Sequence, residues 1–296
     1  MSVMPRIERF LGKPFGEKCE ALAWHIKQLW RRARSRARFV RRLEPGFWWI
    51  AWEDVISNSV LDGTFEVGER KFVQRFLQPG MTVLDIGAYY GLYTLTAWAR
   101  IGKQGRVIAF EPSPFQRKRL EWHLRLNRCH NVEIESLAVG GFEGEQTLFS
   151  IKGESAGYAS LRHPEVGATV DPIPILVTTL DEYLRKREIS TVDFMKVDVE
   201  GGELDVFRGA RELLRRQPRP VVLCELEDIR TEMWGHKAKD CAAFLESLGY
   251  RWFATQIDGS LLPLIEISEV PDRNFVAVPE ERVGQLEELV KNGTRS

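Results

Sequence analysis

Chemistry in this sequence is signalled by acids that stand beside glycines at the ends of apolar runs. Asp85 lies near the end of the β-forming run 81–86 and is followed by Gly87 and Gly91. The apolar spacing of 92–101 then predicts a helix. Glu111 closes the run 106–110, at the distance after Gly91 expected of an acid that binds ribose. Asp198 and Glu200 follow the run 192–197 and precede Gly201 and Gly202, and Glu225 stands in the run 220–226. A strand, a tight glycine turn and a helix together offer a backbone that a ligand can approach and a helix N-terminus with free N–H groups. In an open parallel sheet the ligand crevice lies at such carboxyl ends.

Two ligand classes use this geometry. Dinucleotides need G-x-G-x-x-G and place a pyrophosphate on the helix N-terminus. This chain has G-x-x-x-G with an acid ahead of it, which repels a pyrophosphate and attracts a cation. S-adenosylmethionine carries a sulfonium and an ammonium, so it suits Asp85, while Glu111 suits ribose hydroxyls. The residues leave open a nicotinamide-dependent oxidoreductase on a Rossmann sheet. It is disfavoured because Tyr183 is followed by Arg187 where a Tyr-x-x-x-Lys pair would be needed. A non-catalytic, membrane-docking scaffold is the other alternative.

Elements that would position these groups follow from the pattern. Runs 81–86, 106–110, 132–139, 192–197 and 220–226 read as strands, with helices predicted at 92–101, 114–127, 179–188, 203–216 and 238–248. Phe115, Leu120, Leu124 and Leu126 form the expected inner face of the second of these. Further strands are expected at 145–151 and 175–177, separated by a long loop over 152–174 rich in Gly, Ser and Pro. Strands at 250–256 and 274–278 close the sheet as an antiparallel pair with one reversed edge strand, and a polar helix covers 280–291. Alternating strands and helices predict an α/β, doubly wound, mostly parallel sheet.

The chain has 296 residues, 44% hydrophobic and 28% charged, which is globular composition with enough length for a sizeable core. Its formal net charge of zero conceals an asymmetry. Residues 1–44 carry 12 Lys/Arg against 4 Asp/Glu, and the remainder is correspondingly acidic. Leu22, Ile26, Leu29, Trp30, Ala33, Ala37 and Val40 recur at helical steps, with Trp24 nearby, so 20–43 reads as a basic amphipathic helix ended by Pro45-Gly46. It would lie on an anionic membrane or pack on the body or a second subunit. Nucleic acid is not expected, because the acidic remainder repels it. Phe47, Trp48, Trp49 and Trp52 are candidate core. Cys19, Cys129, Cys224 and Cys241 are scattered without C-x-x-C, so no zinc or redox pair is signalled. Residues 1–10 lack the apolar core of a signal peptide, and no stretch has the roughly 20 apolar residues of a spanning helix. The expected setting is cytoplasmic, at the inner face of a membrane. The expected division is a basic helical extension over 1–60 and a cofactor-binding domain over 61–296.

Three ordered stretches, Asp85-Ile86-Gly87-Ala88-Tyr89-Tyr90-Gly91, Ala109-Phe110-Glu111-Pro112 and Lys196-Val197-Asp198-Val199-Glu200-Gly201, resemble the FkbM-type S-adenosylmethionine-dependent methyltransferases. The resemblance covers about 65–226, with a looser echo to 278. It implies a class I methyltransferase fold with strand order 3-2-1-4-5-7-6. It also implies O-methylation of a sugar, glycan or glycolipid, or of a glycosylated natural product. Asp85, Gly87, Ala88, Tyr89, Tyr90, Gly91, Glu111, Pro112, Ser113, Ala138 and Asp198 are the implied cofactor contacts. The family usually has Asn where this chain has Tyr89, which can still offer its backbone N–H. Glu69 is a further candidate for the cofactor ammonium, and Glu66 is expected to be solvated.

A sulfonium methyl is already activated, so the protein must place an acceptor oxygen in line and remove its proton. Asp198, Glu200, Glu225 and His163, the last in the long loop, are the candidate bases. Asp198 and Glu200 would share a face if the strand continues, and Lys196 would pair with Asp198. A divalent metal is not favoured; its ligands would be Asp198 and Glu225.

Overall fold

The computed structural model describes residues 39–52, 54–151, 159–162, 170–265 and 273–290. Along the chain these form β1 (Val40–Leu43), β2 (Phe47–Ile50), α1 (Val55–Asp62), α2 (Val67–Phe76), β3 (Thr82–Ile86), α3 (Leu92–Ile101), β4 (Arg106–Phe110) and α4 (Pro114–Asn127). Next come β5 (Val132–Glu135), β6 (Ala138–Val139), β7 (Gly144–Ile151), β8 (Ala159–Ser160), β9 (Val170–Thr178), α5 (Leu180–Lys186), β10 (Phe194–Val197) and α6 (Glu203–Arg208). The chain continues as β11 (Val221–Leu226), α7 (Asp228–Thr231), α8 (Ala238–Glu246), β12 (Tyr250–Thr255), β13 (Leu261–Pro263) and β14 (Arg273–Pro279).

The large sheet has the order β13-β12-β14-β11-β10-β3-β4-β5. From the β5 edge this is 3-2-1-4-5-7-6, with β13 added beyond it. Strands β5, β4, β3, β10 and β11 are parallel. Val83–Ile86 and Phe194–Val197 are buried throughout, as strands covered on both faces must be. Two strands are reversed where one at the edge was expected: β14, which lies inside the sheet between β11 and β12, and β13, which is the edge strand. The β14 run Phe275, Val276, Ala277 and Val278 is wholly buried, which suits an interior position.

A second, four-stranded sheet has the order β6-β9-β7-β8. It accounts for two departures from the expected pattern. The single strand expected at 132–139 splits, because β5 ends at Glu135 and Ala138–Val139 pairs with β9. Glu135 accepts from Tyr183 Oη at 2.8 Å at the point of the crossing. The expected loop 152–174 is also shorter, since β9 begins at Val170 and β8 pairs with β7.

Residues 20–38 of the expected basic helix lie outside the described residues, and 40–43 are not helical. They form β1, which pairs with β2 around Pro45-Gly46. Side chains of α4 fix this hairpin. His123 stacks on Trp49 at 4.1 Å, Ile50 N donates to His123 Nε2 at 2.9 Å, and Asn127 bonds both N and O of Trp48. Phe47, Trp49 and Trp52 thereby join a cluster with Ala88, Tyr90, Leu92, Leu120 and Leu124. The inner face of α4 is Gln116, Leu120, His123 and Leu124, whereas Phe115 and Leu126 are exposed.

Other bounds shift for local reasons. Helix α1 escaped the periodicity; Asp54 caps it by accepting from Ser57 N at 2.7 Å. Helix α6 stops at Arg208 instead of 216. Beyond it Asp181 accepts from Glu212 N at 2.8 Å and Leu213 N at 2.9 Å, which ties that stretch into turns. Past Pro279 the expected helix 280–291 is a tighter 3-10 turn over Glu280–Leu286.

Candidate functional site

Two turns at the carboxyl edge of the large sheet are pressed together. After β3 the backbone turns left-handed at Gly87, with φ +81°, and at Gly91, with φ +89°. A Cβ on Gly87 would collide with the Asp198 carbonyl, and one on Gly91 with the Leu120 side chain. Glycine is therefore required here by the protein's own packing as well as by ligand access. Tyr89 is also left-handed, with φ 52°. Asn tolerates that region far better than Tyr. In this chain the Tyr89 ring stacks on Tyr90 at 3.7 Å.

Glu111, 6% exposed, ties this turn to the end of β4. It accepts from Tyr89 N and from Ser113 N, each at 2.8 Å. Burial pushes its carboxyl up to about 7, against those two N–H bonds. Asp85 is also buried, and it accepts from Thr94 Oγ1 on α3. Its carboxyl is raised to about 6, chiefly by burial.

Strand β10 delivers Lys196, whose ammonium lies 2.9 Å from Asp198 and 5.1 Å from the centre of the Tyr93 ring. Burial would lower the Lys196 ammonium, yet Asp198, Glu66 and Glu225 hold it above its ordinary value. Burial would likewise raise Asp198, but Lys196 and then Arg230 hold it low. Glu225 is raised by burial and by Asp198. Asp198 thus lies between the Lys196 ammonium and Glu225, and of the two carboxyls it is the one whose charge is favoured. Expected to be solvated, Glu66 instead accepts from Tyr93 Oη at 2.6 Å and Asn274 Nδ2 at 2.9 Å. Burial raises its carboxyl too.

Strand β10 ends at Val197, so Asp198 and Glu200 share no strand face. Glu200 takes φ 60° and Gly201 φ 99°, and Glu200 pairs with Arg230. Glu203 braces the turn by accepting from Val199 N at 3.0 Å and Gly201 N at 3.2 Å. Across it lies Trp234, whose Nε1 donates to the Glu200 carbonyl at 3.2 Å. A Cβ on Gly201 would lie 2.5 Å from the Arg230 carbonyl, and one on Gly202 2.8 Å from the Trp234 ring.

A concave pocket opens where these turns meet the small sheet. Asp85, Gly87, Ala88, Tyr89, Glu111, Pro112, Ala138, Asp198 and Glu200 line it. Tyr90, Gly91, Ser113 and Glu225 stand behind that lining, and His163 falls outside the described residues. Glu69 points elsewhere, accepting from Thr255 Oγ1 at 2.8 Å. Lining residues missed in the sequence include Trp49, Ile56, Val60, Phe65 and Glu66 before β3; Tyr93 and Gln116 on α3 and α4; Gln146, Ser160 and Arg162 on or beside the small sheet; and Trp234. Arg230 and Glu203, which brace the pocket from behind, were missed as well. Only the E-G-G-E spacing around Gly201 hinted at any of them.

The donor set fits a cationic nucleoside. Glu66, Asp85 and Asp198 surround Lys196 with an excess of carboxylates, Glu111 stands at a strand end, and apolar side chains line much of the rest. It fits a divalent cation poorly, because Asp198 faces Lys196, and Glu225 lies 3.6 Å from Arg230. No group of three or more possible metal ligands occurs among the described residues.

Residues 85–252 match the model of the methyltransferase FkbM domain. The AMB antimetabolite synthetase AmbE of Pseudomonas aeruginosa is 26% identical over 207 residues, which is 59% of this chain and 10% of that protein. Methyltransferase 1 of Beauveria bassiana is 26% identical over 143 residues, or 43% of this chain and 57% of that protein. The chain therefore spans a tenth and just over half of the lengths of these two relatives. A solved structure, the methyltransferase FkbM from Methylobacillus flagellatus KT, superposes with a TM-score of 0.46 at 17% identity, over 75% of this chain and 52% of that one.

Proposed function

The chain belongs to the FkbM methyltransferase family, and from that premise we propose that it moves the methyl group of S-adenosylmethionine to a hydroxyl of a sugar, glycan or glycolipid, or of a glycosylated natural product. One observation carries this reading: the glycine turn, the strand-end Glu111 and the excess of carboxylates around Lys196 converge on a single pocket.

S-adenosylmethionine, when bound, supplies a methyl group activated by its positive sulfur. The chain's own work is to bind, orient and deprotonate. Glu111 keeps lone pairs for the ribose hydroxyls beyond the two it gives to backbone N–H groups. Glu66 and Asp85 favour the positive charge of the amino-acid end. Asp198, whose side chain is 30% exposed, accepts the proton of the acceptor hydroxyl. Lys196 fixes its orientation, and Glu225 and Arg230 hold the far side. A positioned base of this kind contributes roughly 10²–10⁴-fold. Support for a polyhydroxylated acceptor comes from Gln146, Ser160 and Arg162, hydrogen-bonding groups that line the same pocket.

Thermal melting tests the cofactor half of this reading. S-adenosylhomocysteine raises the melting temperature by mass action and NAD does not. Mass spectrometry of a panel of glycans and glycolipids tests the other half. The expected product is a methyl ether on oxygen; methylation of nitrogen alone would reject the hydroxyl acceptor.

A further inference from the structure

The outer face of the N-terminal hairpin carries apolar and basic side chains together. Phe39, Val40 and Trp48 are 40%, 49% and 46% exposed. Strand register puts Val40 and Arg42 opposite Ile50 and Trp48, so Val40, Arg42 and Trp48 share the face turned away from the buried Phe47 and Trp49. Beside it runs α4. Asn127 holds Trp48 through both backbone groups, and Leu126 is exposed at the same end of the helix. Lys118, Arg125 and Arg128 are exposed along α4, and Lys118 lies over Trp122 at 5.8 Å. Acids are few here: Glu44 in the hairpin turn, and Glu121, already 3.8 Å from Arg125.

The chain ahead of this face has the matching character. Residues 1–38 enter at Phe39, and most of the basic excess of residues 1–44 lies in them. We propose that the outer face of the hairpin and the adjoining side of α4 dock this protein on an anionic membrane surface. Trp48, Val40 and Phe39 would enter the headgroup region, while Arg42, Lys118 and Arg125 would meet lipid phosphates. Indole rings favour that interface. Each Lys or Arg near such a surface adds to attachment, and salt screens it. A bare polyanion such as RNA would account for the arginines but not for the exposed apolar side chains among them.

Flotation of the full chain with phosphatidylglycerol vesicles, phosphatidylcholine vesicles and no vesicles tests the surface. Binding is expected to the anionic vesicles alone and to weaken as salt is raised. Lys118→Glu/Arg125→Glu should lower the partition coefficient about tenfold or more, and Trp48→Ala severalfold, both with unchanged thermal melting. All these side chains are exposed, so the variants fold as the parent does. If the full chain ignores anionic vesicles, the proposal fails. It also fails if both variants bind as the parent does, or if structured RNA binds more tightly than the vesicles and displaces them.

Discussion

The pocket has two walls of different construction. The wall around Gly87, Tyr89 and Glu111, the side proposed for the cofactor, comes from neighbouring stretches of chain, and much of its bonding is from backbone N–H groups to one carboxylate. The opposing wall gathers Asp198, Glu225, Arg230 and Trp234 from β10, β11 and the segment beyond, together with the small sheet. Its charges are spent largely on one another. The first wall therefore depends on one carboxylate, and the backbone around it can carry varied side chains. In the network of paired charges every member matters, because removal of one leaves another buried and uncompensated.

Gly87→Ala attacks both walls at once, since its methyl would strike the Asp198 carbonyl. We expect roughly 3 kcal/mol of lost stability or more and no measurable cofactor binding, by denaturant unfolding and calorimetry. If the variant binds cofactor normally, the walls are less tightly joined than described. Asp198→Asn separates them: turnover should fall roughly 10²–10⁴-fold with cofactor affinity changed only a few-fold. Equal losses in kcat and affinity would place Asp198 on the cofactor side.

Glu111→Gln is the reciprocal experiment. Loss of a charged partner should weaken cofactor binding by about 1.5–3 kcal/mol, with a residual rate per bound cofactor close to that of the parent. An unchanged dissociation constant would remove Glu111 from the ribose site.

Acidity distinguishes the walls more gently. Asp85 and Glu111 are raised to about 6 and about 7, so the folded protein holds protons that the unfolded chain has released. Stability without ligand should therefore fall as pH rises from about 4 through 7. A positively charged ligand prefers the ionised carboxylates, so its affinity should rise over the upper part of the same range and level off above it. Calorimetry from pH 5 to 8 reads this, and a flat profile would exclude both groups. Smallest is Tyr89→Asn. It relieves a left-handed tyrosine and loses a stacked ring, two terms of opposite sign, so melting should move by only a few degrees. A large drop would mean that the Tyr89–Tyr90 stack is essential to the turn.

How much of this was legible depends on where the information sits. β3, β4, β10 and β11 were readable because a strand covered on both faces is a continuous apolar run, and α3 and α4 because their apolar spacing has a helical period. Asp85, Glu111 and Asp198 were readable because strand ends in such a sheet face the crevice. The splitting of 132–139 between two sheets and the hairpin at 40–50 were not. Each turns on a partner distant in sequence, β9 in the first case and His123 in the second. Glu66 illustrates the same limit. Nothing near it marks burial, and its environment is made by Tyr93 and Asn274.

By itself the sequence determined the order of strands and helices, the glycine turn and the acids at the strand ends, because periodicity and turn chemistry act over a few residues. Which acids are ionised, which face the pocket and which are tied to a cation was decided only by the tertiary structure. Those properties follow from burial and from charges a few ångströms away, and the groups concerned, Lys196 with Glu66 or Glu200 with Arg230, are far apart along the chain.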